Sequence, residues 1–505
     1  MVPVAATESY VEPTYGNWRK PRRAGIGKWG LLPVLIVIGG MISVQVSWQL
    51  FGWQTAAGVG IVALSIAGLL GFKDRHDMTP AEHLMTRFGF MTGRMRRRNV
   101  YRSGPLGYSE AGTFQLPGLL AGSKVYEFTD TYDRPFALLN VPSRGHYTVV
   151  FSVQPDGSAL VDPEQIDQWI ANWGGFLGSL GAEPGLAGAQ AVFETAPDTG
   201  ARLRREIEGA MSVDAPEVAR RVLEDAMREY PTGSAGISAW VTMTYRATVR
   251  RGGKPRDPET VGRDLASRLP GLVGRIQATG AGATAPVSAA ELCEVLRVAY
   301  DPAAETMVEE SHRTGEPLEL AWEDLGPAGH EAGWDYYRHD SAVSRSWSMT
   351  GAPRGQVGGR VLQRLLDPHP DIERKRVALM YRPMDIGAAA GAVESDVNQA
   401  RARVTSNNRP SARSLAALSA AEATAREEAR GAGLEDFGLV VTVSCSDAER
   451  LDAASATMET ALGPASSLAL RRVYGSQDVA FSAALPVGLI TSAHTRVPHE
   501  LRGVL

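Results

Sequence analysis

Residues 29–72 read WGLLPVLIVIGGMISVQVSWQLFGWQTAAGVGIVALSIAGLLGF, 44 positions without one charged side chain. A membrane-spanning helix needs about 20 apolar residues, so this stretch holds two. It is too long for the apolar core of a signal peptide. The spans are placed at residues 31–48 and 55–72, with a tight connection over 49–53. Trp29, Trp48 and Trp53 stand at their ends, where indole rings settle at headgroup level. Gly39, Gly40, Gly58 and Gly60 allow close helix approach, within the pair or against a second copy in a homo-oligomer.

The flanks set an orientation. Arg19, Lys20, Arg22, Arg23 and Lys28 precede the first span, and Lys73, Arg75, Arg87 and Arg94 follow the second, while the connection is neutral. The positive-inside rule then places a basic tail (1–28), the C-terminus and the soluble bulk on the cytoplasmic side of the inner or plasma membrane. Residues 73–102 form a basic juxtamembrane segment. In it Thr79, Pro80 and Glu82 make a capping box, and Leu84, Phe88, Met91 and Met95 recur as one apolar stripe. Arg94, Arg96, Arg97 and Arg98 lie beside it. Such a helix either rests on anionic lipid or packs its stripe on a core while its arginines complete the topology signal.

The net charge of -4 divides unevenly. Residues 1–102 hold 13 Lys/Arg against 5 Asp/Glu, and the remaining 403 hold 39 against 51. The larger part has the wrong sign for nonspecific nucleic-acid binding, so any DNA contact is at most indirect. With 44% hydrophobic residues the chain can bury substantial cores, and Cys293 and Cys445 are its only cysteines, which fits a reducing compartment. The expected fold class is α+β: a transmembrane hairpin (29–72) followed by two mixed α/β cytoplasmic units. The first unit (103–300) shows strand patterns at 124–128, 147–153, 191–193 and 237–245. Its helices are expected after Asp162, over 201–211, after Asp214, after Asp257 and at a Ser288/Glu291 capping box. The second unit (376–505) has strands at 377–381, 437–443 and 467–473. Its helices run over 386–403 and 411–430, with Asn407 and Asn408 in the turn, and a third starts at Ser446/Glu449. Both units alternate strands and helices, which suggests a duplication without a residue-level repeat. Between them an aromatic-rich connecting segment (301–375) carries Trp322, Trp334, Tyr336, Tyr337 and Trp347, either as a contact surface or packed over its own sheet.

No catalytic constellation emerges, and the expectation is a protein that is not an enzyme and has no cofactor. Gly27-Lys28-Trp29 and Gly253-Lys254-Pro255 lack the Ser/Thr and the glycine spacing of a phosphate-cradling P-loop. The metal-like group His330, Glu331, Asp335, His339 and Asp340 has no spacing that converges three or four ligands.

The hairpin with its Met/Phe-rich, arginine-ended helix resembles the PrgI-like inner-membrane proteins of conjugative type IV secretion. From about Lys124 onward the chain resembles the N-terminal, non-ATPase region of the VirB-four or TraC-like conjugation ATPases. That likeness rests on residues 437–462, on Arg472-Val473-Tyr474-Gly475-Ser476-Gln477, and on Phe481 through Ala484-Leu485-Pro486-Val487-Gly488. The arrangement looks like an actinobacterial conjugation-associated family that fuses the two and leaves the motor on another chain. The resemblance implies a structural membrane component that docks a separate hexameric secretion ATPase beside other channel subunits. Trp334, Tyr337 and Arg338, together with the segment after Pro486, are the expected contact surfaces. A membrane-anchored accessory component of a type VII apparatus is the alternative, and a membrane-tethered enzyme the third reading.

Overall fold

The computed structural model describes residues 13–16, 18, 25–26, 29–72, 74, 78–103, 114–155, 157, 161–198, 207, 209, 211–212, 215–229, 235–248, 253–353, 355–406 and 409–494. Outside them fall Arg19, Lys20, Arg22, Arg23, Lys28, Lys73, Arg75, Asp214, Asn407 and Asn408, most of 201–211, and the side chain of Trp29.

Short strands β1 (Thr14–Tyr15), β2 (Gly25–Ile26) and β3 (Trp29–Gly30) precede helices α1 (Leu31–Phe51) and α2 (Trp53–Gly71). The connection is tighter than the expected five residues. Gly52 alone makes the turn at φ 87, a left-handed conformation that glycine adopts without strain. The two helices pack closely at Gly40, where a Cβ would come within 2.6 Å of the Ala63 Cβ, and at Gly60 beside Val44; Gly39 and Gly58 face open space. Helix α2 is long and apolar enough to cross a membrane, and α1 is apolar over its described side chains, Leu35–Phe51.

Helix α3 (Pro80–Met95) begins at the expected capping box: the Thr79 hydroxyl accepts from the Glu82 amide, and the Glu82 carboxylate accepts from the Thr79 amide. Then come β4 (Val100–Arg102), β5 (Lys124–Thr129), β6 (Pro135–Val141), β7 (His146–Gln154), α4 (Pro163–Leu180), β8 (Leu186–Pro197), β9 (Ala235–Arg246) and β10 (Ala283–Pro286). They are followed by β11 (Gly329–Ala332), β12 (Tyr337–His339), β13 (Ala342–Gly351), β14 (Val357–Gly358), β15 (Arg374–Pro383), β16 (Glu435–Cys445) and β17 (Ala469–Arg472). The architecture is mixed α+β. Among the described residues thirteen strands form one sheet in the order β4-β11-β12-β13-β16-β15-β8-β9-β7-β6-β5, with β10 added to β7 and β17 to β13. Every strand pair in it is antiparallel.

Strand order repeats within this sheet. The run β7-β9-β8 is mirrored by β13-β16-β15, and the copies join where β8 pairs β15. In each copy a helix follows the last strand (Pro258–Ile276, Ala448–Thr457) and passes into a π turn (Gln277–Ala281, Met458–Leu462). The next strand, β10 or β17, then pairs with the first strand of its own copy.

Side chains alternate across the sheet, so neighbours such as Leu138 and Leu139, or Val377 and Ala378, enter different cores. One face bears a single core under helices Ala289–Tyr300 and Gln477–Ala484; the other bears two, one per copy. Several expectations need correction. Residues 301–375 are no mere connection: they supply β11, β12 and β13, which place Tyr337 and Trp347 inside. β8 extends well beyond 191–193, because burial on both faces removes the alternation by which a strand is read. The helix expected to start at Ser446 is capped instead by Asp447, while Ser446 bonds Glu373.

Candidate functional site

Helix α3 turns two different faces to its surroundings. Thr86 and Phe90 face the body, where Phe90 meets the Trp334 ring edge-on at 5.3 Å. Gly475 makes this approach close: at φ +71, its absent Cβ would lie 3.0 Å from Trp334 and 3.4 Å from both Phe90 and Thr86. The Gly475 amide also donates to the Trp334 carbonyl at 2.7 Å. The predicted stripe of Leu84, Phe88, Met91 and Met95 points the other way and is exposed, Phe88 at 65%. Of the two readings of this helix, the core-facing one is therefore corrected. Arg94, Arg96, Arg97 and Arg98 are exposed at its C-terminal end, as are Trp48 and Trp53 around the Gly52 turn.

Between α3 and the β13/β17 end of the sheet lies an open cleft of about 1120 Å³. Trp334 and Tyr474 stack on its wall with centroids 5.6 Å apart. Arg87 lies 6.0 Å over the Trp334 ring and Arg471 5.8 Å over the Tyr474 ring. The remaining charges are paired. Arg472 reaches Glu459 at 2.8 Å and Asp335 at 2.9 Å, and His83 meets Asp74 at 3.1 Å. Burial works against the Arg472 charge, but these carboxylates outweigh it and raise its pKa. Glu459 also accepts from the Trp347 indole at 3.0 Å. Arg471 additionally approaches the Met78 sulfur, and among the described residues it has no carboxylate partner.

The three predicted contact residues separate. Trp334 is half-buried on the cleft wall and Arg338 is exposed on β12. Tyr337, at 1% exposure, packs on Phe481 and belongs to the core, so no partner touches it in the folded protein. The segment just after Pro486 is likewise inside through Leu489, and 495–505 lies outside the described residues. Residue reasoning missed Arg471, Gly475 and the pairing of Arg472. The only sequence signal was the Tyr474-Gly475-Ser476 turn after two arginines.

The metal-like group divides as well. His330 shares a 2.7 Å hydrogen bond with the Tyr337 hydroxyl. His339 donates from Nδ1 to the Tyr300 carbonyl, which leaves Nε2 to accept from Ser344 at 2.7 Å; Ser344 in turn meets Ser444 at 2.6 Å. This serine–histidine pair is sealed, with both side chains 0% exposed, so it has no access to a substrate. Among the described residues no group of three or more His, Cys, Asp or Glu could hold a metal ion. No protein-family model matches the chain, and no curated protein matches it.

Proposed function

We propose that this chain is a non-catalytic, membrane-anchored platform that docks a separate secretion ATPase, as in a conjugative type IV apparatus. The observation that carries the anchoring is the surface of the helix pair: Leu35, Met41, Trp53, Ile61, Leu64 and Leu69 are all exposed on it. Apolar side chains on every side of a helix pair suit lipid rather than water. In this reading α1 and α2 both span the bilayer. The segment before α1 supports a hairpin, because β1 pairs β14 and Trp18 lies 5.4 Å from Phe437. The chain thus enters α1 and leaves α2 from the side of the body. The docking role follows from the resemblance of residues 437–488 to the attachment region of conjugation ATPases.

Reporter fusions after Phe72 and at Leu505 should read cytoplasmic, and one near Leu50 external; an external C-terminus would reverse the topology. Purification of the whole chain in mild detergent should bring down a P-loop motor chain resembling the ATPase half of those proteins. Recovery of a motor with several tandem ATPase modules would instead place it in a type VII apparatus. The chain alone should show no saturable ATP binding by calorimetry.

A further inference from the structure

The geometry of the cleft between α3 and the β13/β17 end of the sheet points to a binding site for the phosphate of one anionic phospholipid. Arg87 and Arg471 clamp the headgroup, and the acyl chains run along the exposed stripe of α3. The inference rests on the membrane-anchored reading.

Charge complementarity comes first. Of the cationic and acidic side chains lining the cleft, Arg472 is matched to Glu459 and His83 to Asp74. Among the described residues Arg87 and Arg471 have no carboxylate partner, so two guanidiniums at the cleft stand outside any ion pair. Their forked donors match a phosphate, which accepts from both at once. The stacked Trp334–Tyr474 pair holds each guanidinium over an aromatic face without cancelling its charge.

A lipid is favoured over a soluble phosphate by continuity. Leu84 both lines the cleft and begins the exposed stripe that continues through Phe88, Met91 and Met95, and α3 touches α2. A molecule with phosphate at one end and hydrocarbon at the other satisfies both surfaces together. The site is distinct from Arg96, Arg97 and Arg98, which are exposed and offer only a diffuse attraction to a negative bilayer.

The test uses the full chain in a zwitterionic detergent, with native mass spectrometry counting retained phosphatidylglycerol against phosphatidylcholine. One phosphatidylglycerol per chain should be retained in preference to phosphatidylcholine. Arg87→Gln and Arg471→Gln should each weaken retention about tenfold. Arg471→Lys, which keeps the charge and loses the fork, should fall between. Arg263→Gln, an exposed arginine of the helix Pro258–Ile276, controls for net charge and should leave retention intact. Equal retention in all variants, with unchanged melting temperatures, would overturn the site. So would micromolar inorganic phosphate displacing the lipid, because the acyl chains would then contribute nothing. If an arginine variant unfolds, the same titration of wild-type chain with phosphatidylglycerol against phosphatidylcholine decides: no preference overturns the proposal. Release of the chain from membranes by alkaline carbonate would mark failure of the anchoring reading itself; firm attachment without lipid preference marks failure of the site alone.

Discussion

Glu194 on β8 lies between Arg374 and Arg376 of β15, and all three are buried at the junction of the repeated strand runs. Burial by itself would raise the Glu194 pKa, but the two guanidiniums outweigh it and hold the carboxyl below its usual range. Glu305, the outer partner of Arg374 at 2.6 Å, is held above its usual range because burial prevails over the same arginine. Glu194→Ala should cost about 3–5 kcal/mol by urea denaturation, since it strands the buried Arg376 and leaves Arg374 only its outer partner Glu305. His330 and His339 are shifted downward as well, here because burial disfavours a cation. Burial pushes both to about 4, from 6.5 in an open environment. Between those values the unfolded chain binds more protons, so stability is complete above 6.5 and is lost as pH falls toward 4, by on the order of 2–3 kcal/mol per histidine. Urea midpoints measured across that range should show the loss, and His339→Asn should make it shallower. These two histidines were visible in the sequence only as members of a loose acidic and basic group. What decides their state is that they are opposite each other in the β11–β12 hairpin and face the core, a pairing that spacing alone does not reveal.

At the scale of elements, local chemistry was legible and direction was not. The capping boxes at Thr79 and Ser288 hold as read, because both partners lie within four residues of each other. The stripe of α3 was also legible, yet its periodicity is the same whether it meets a core or a solvent. The choice is made by Gly475, about 380 residues away, whose missing side chain admits Phe90 and Thr86 and so turns the stripe outward. Gly475→Ala should cost roughly 1–2 kcal/mol from the left-handed backbone alone. It should also undock α3, which hydrogen exchange would register as lost protection over 86–90 with β15 and β16 unchanged. The strands of 301–375 escaped reading for two reasons: β11 and β12 are only four and three residues long, too short for an alternation to show, and the longer β13 is buried on both faces with Ser344, Arg345 and Ser346 inside.

For the whole molecule, the alternation of strands and helices was enough to foresee an α+β fold, whereas the single shared sheet depends on distant pairings, such as Glu194 with Arg376, 182 residues apart. That sheet predicts how the protein can be cut. Residues 376–505 expressed alone should fail to fold, because β16 would lose β13 and β15 would lose β8 together with the carboxylate that neutralises its buried Arg376. Circular dichroism and gel filtration would show an expanded, non-cooperative chain; a sharp melting transition would show that this half is self-sufficient. The connection from α3 to β4 sets a dimension. Only Arg96 to Asn99 separate them, a leash of at most about 14 Å, and β4 is hydrogen-bonded into the end of the sheet. The opposite end, β5, is ten strand spacings away, roughly 48 Å before twist. Under the membrane-anchored proposal, with α3 on lipid, that short leash would moor one rim of the sheet at a fixed height and leave the far rim reaching outward, so a docked motor gripping the far rim would pull on a lever whose fulcrum is the bilayer.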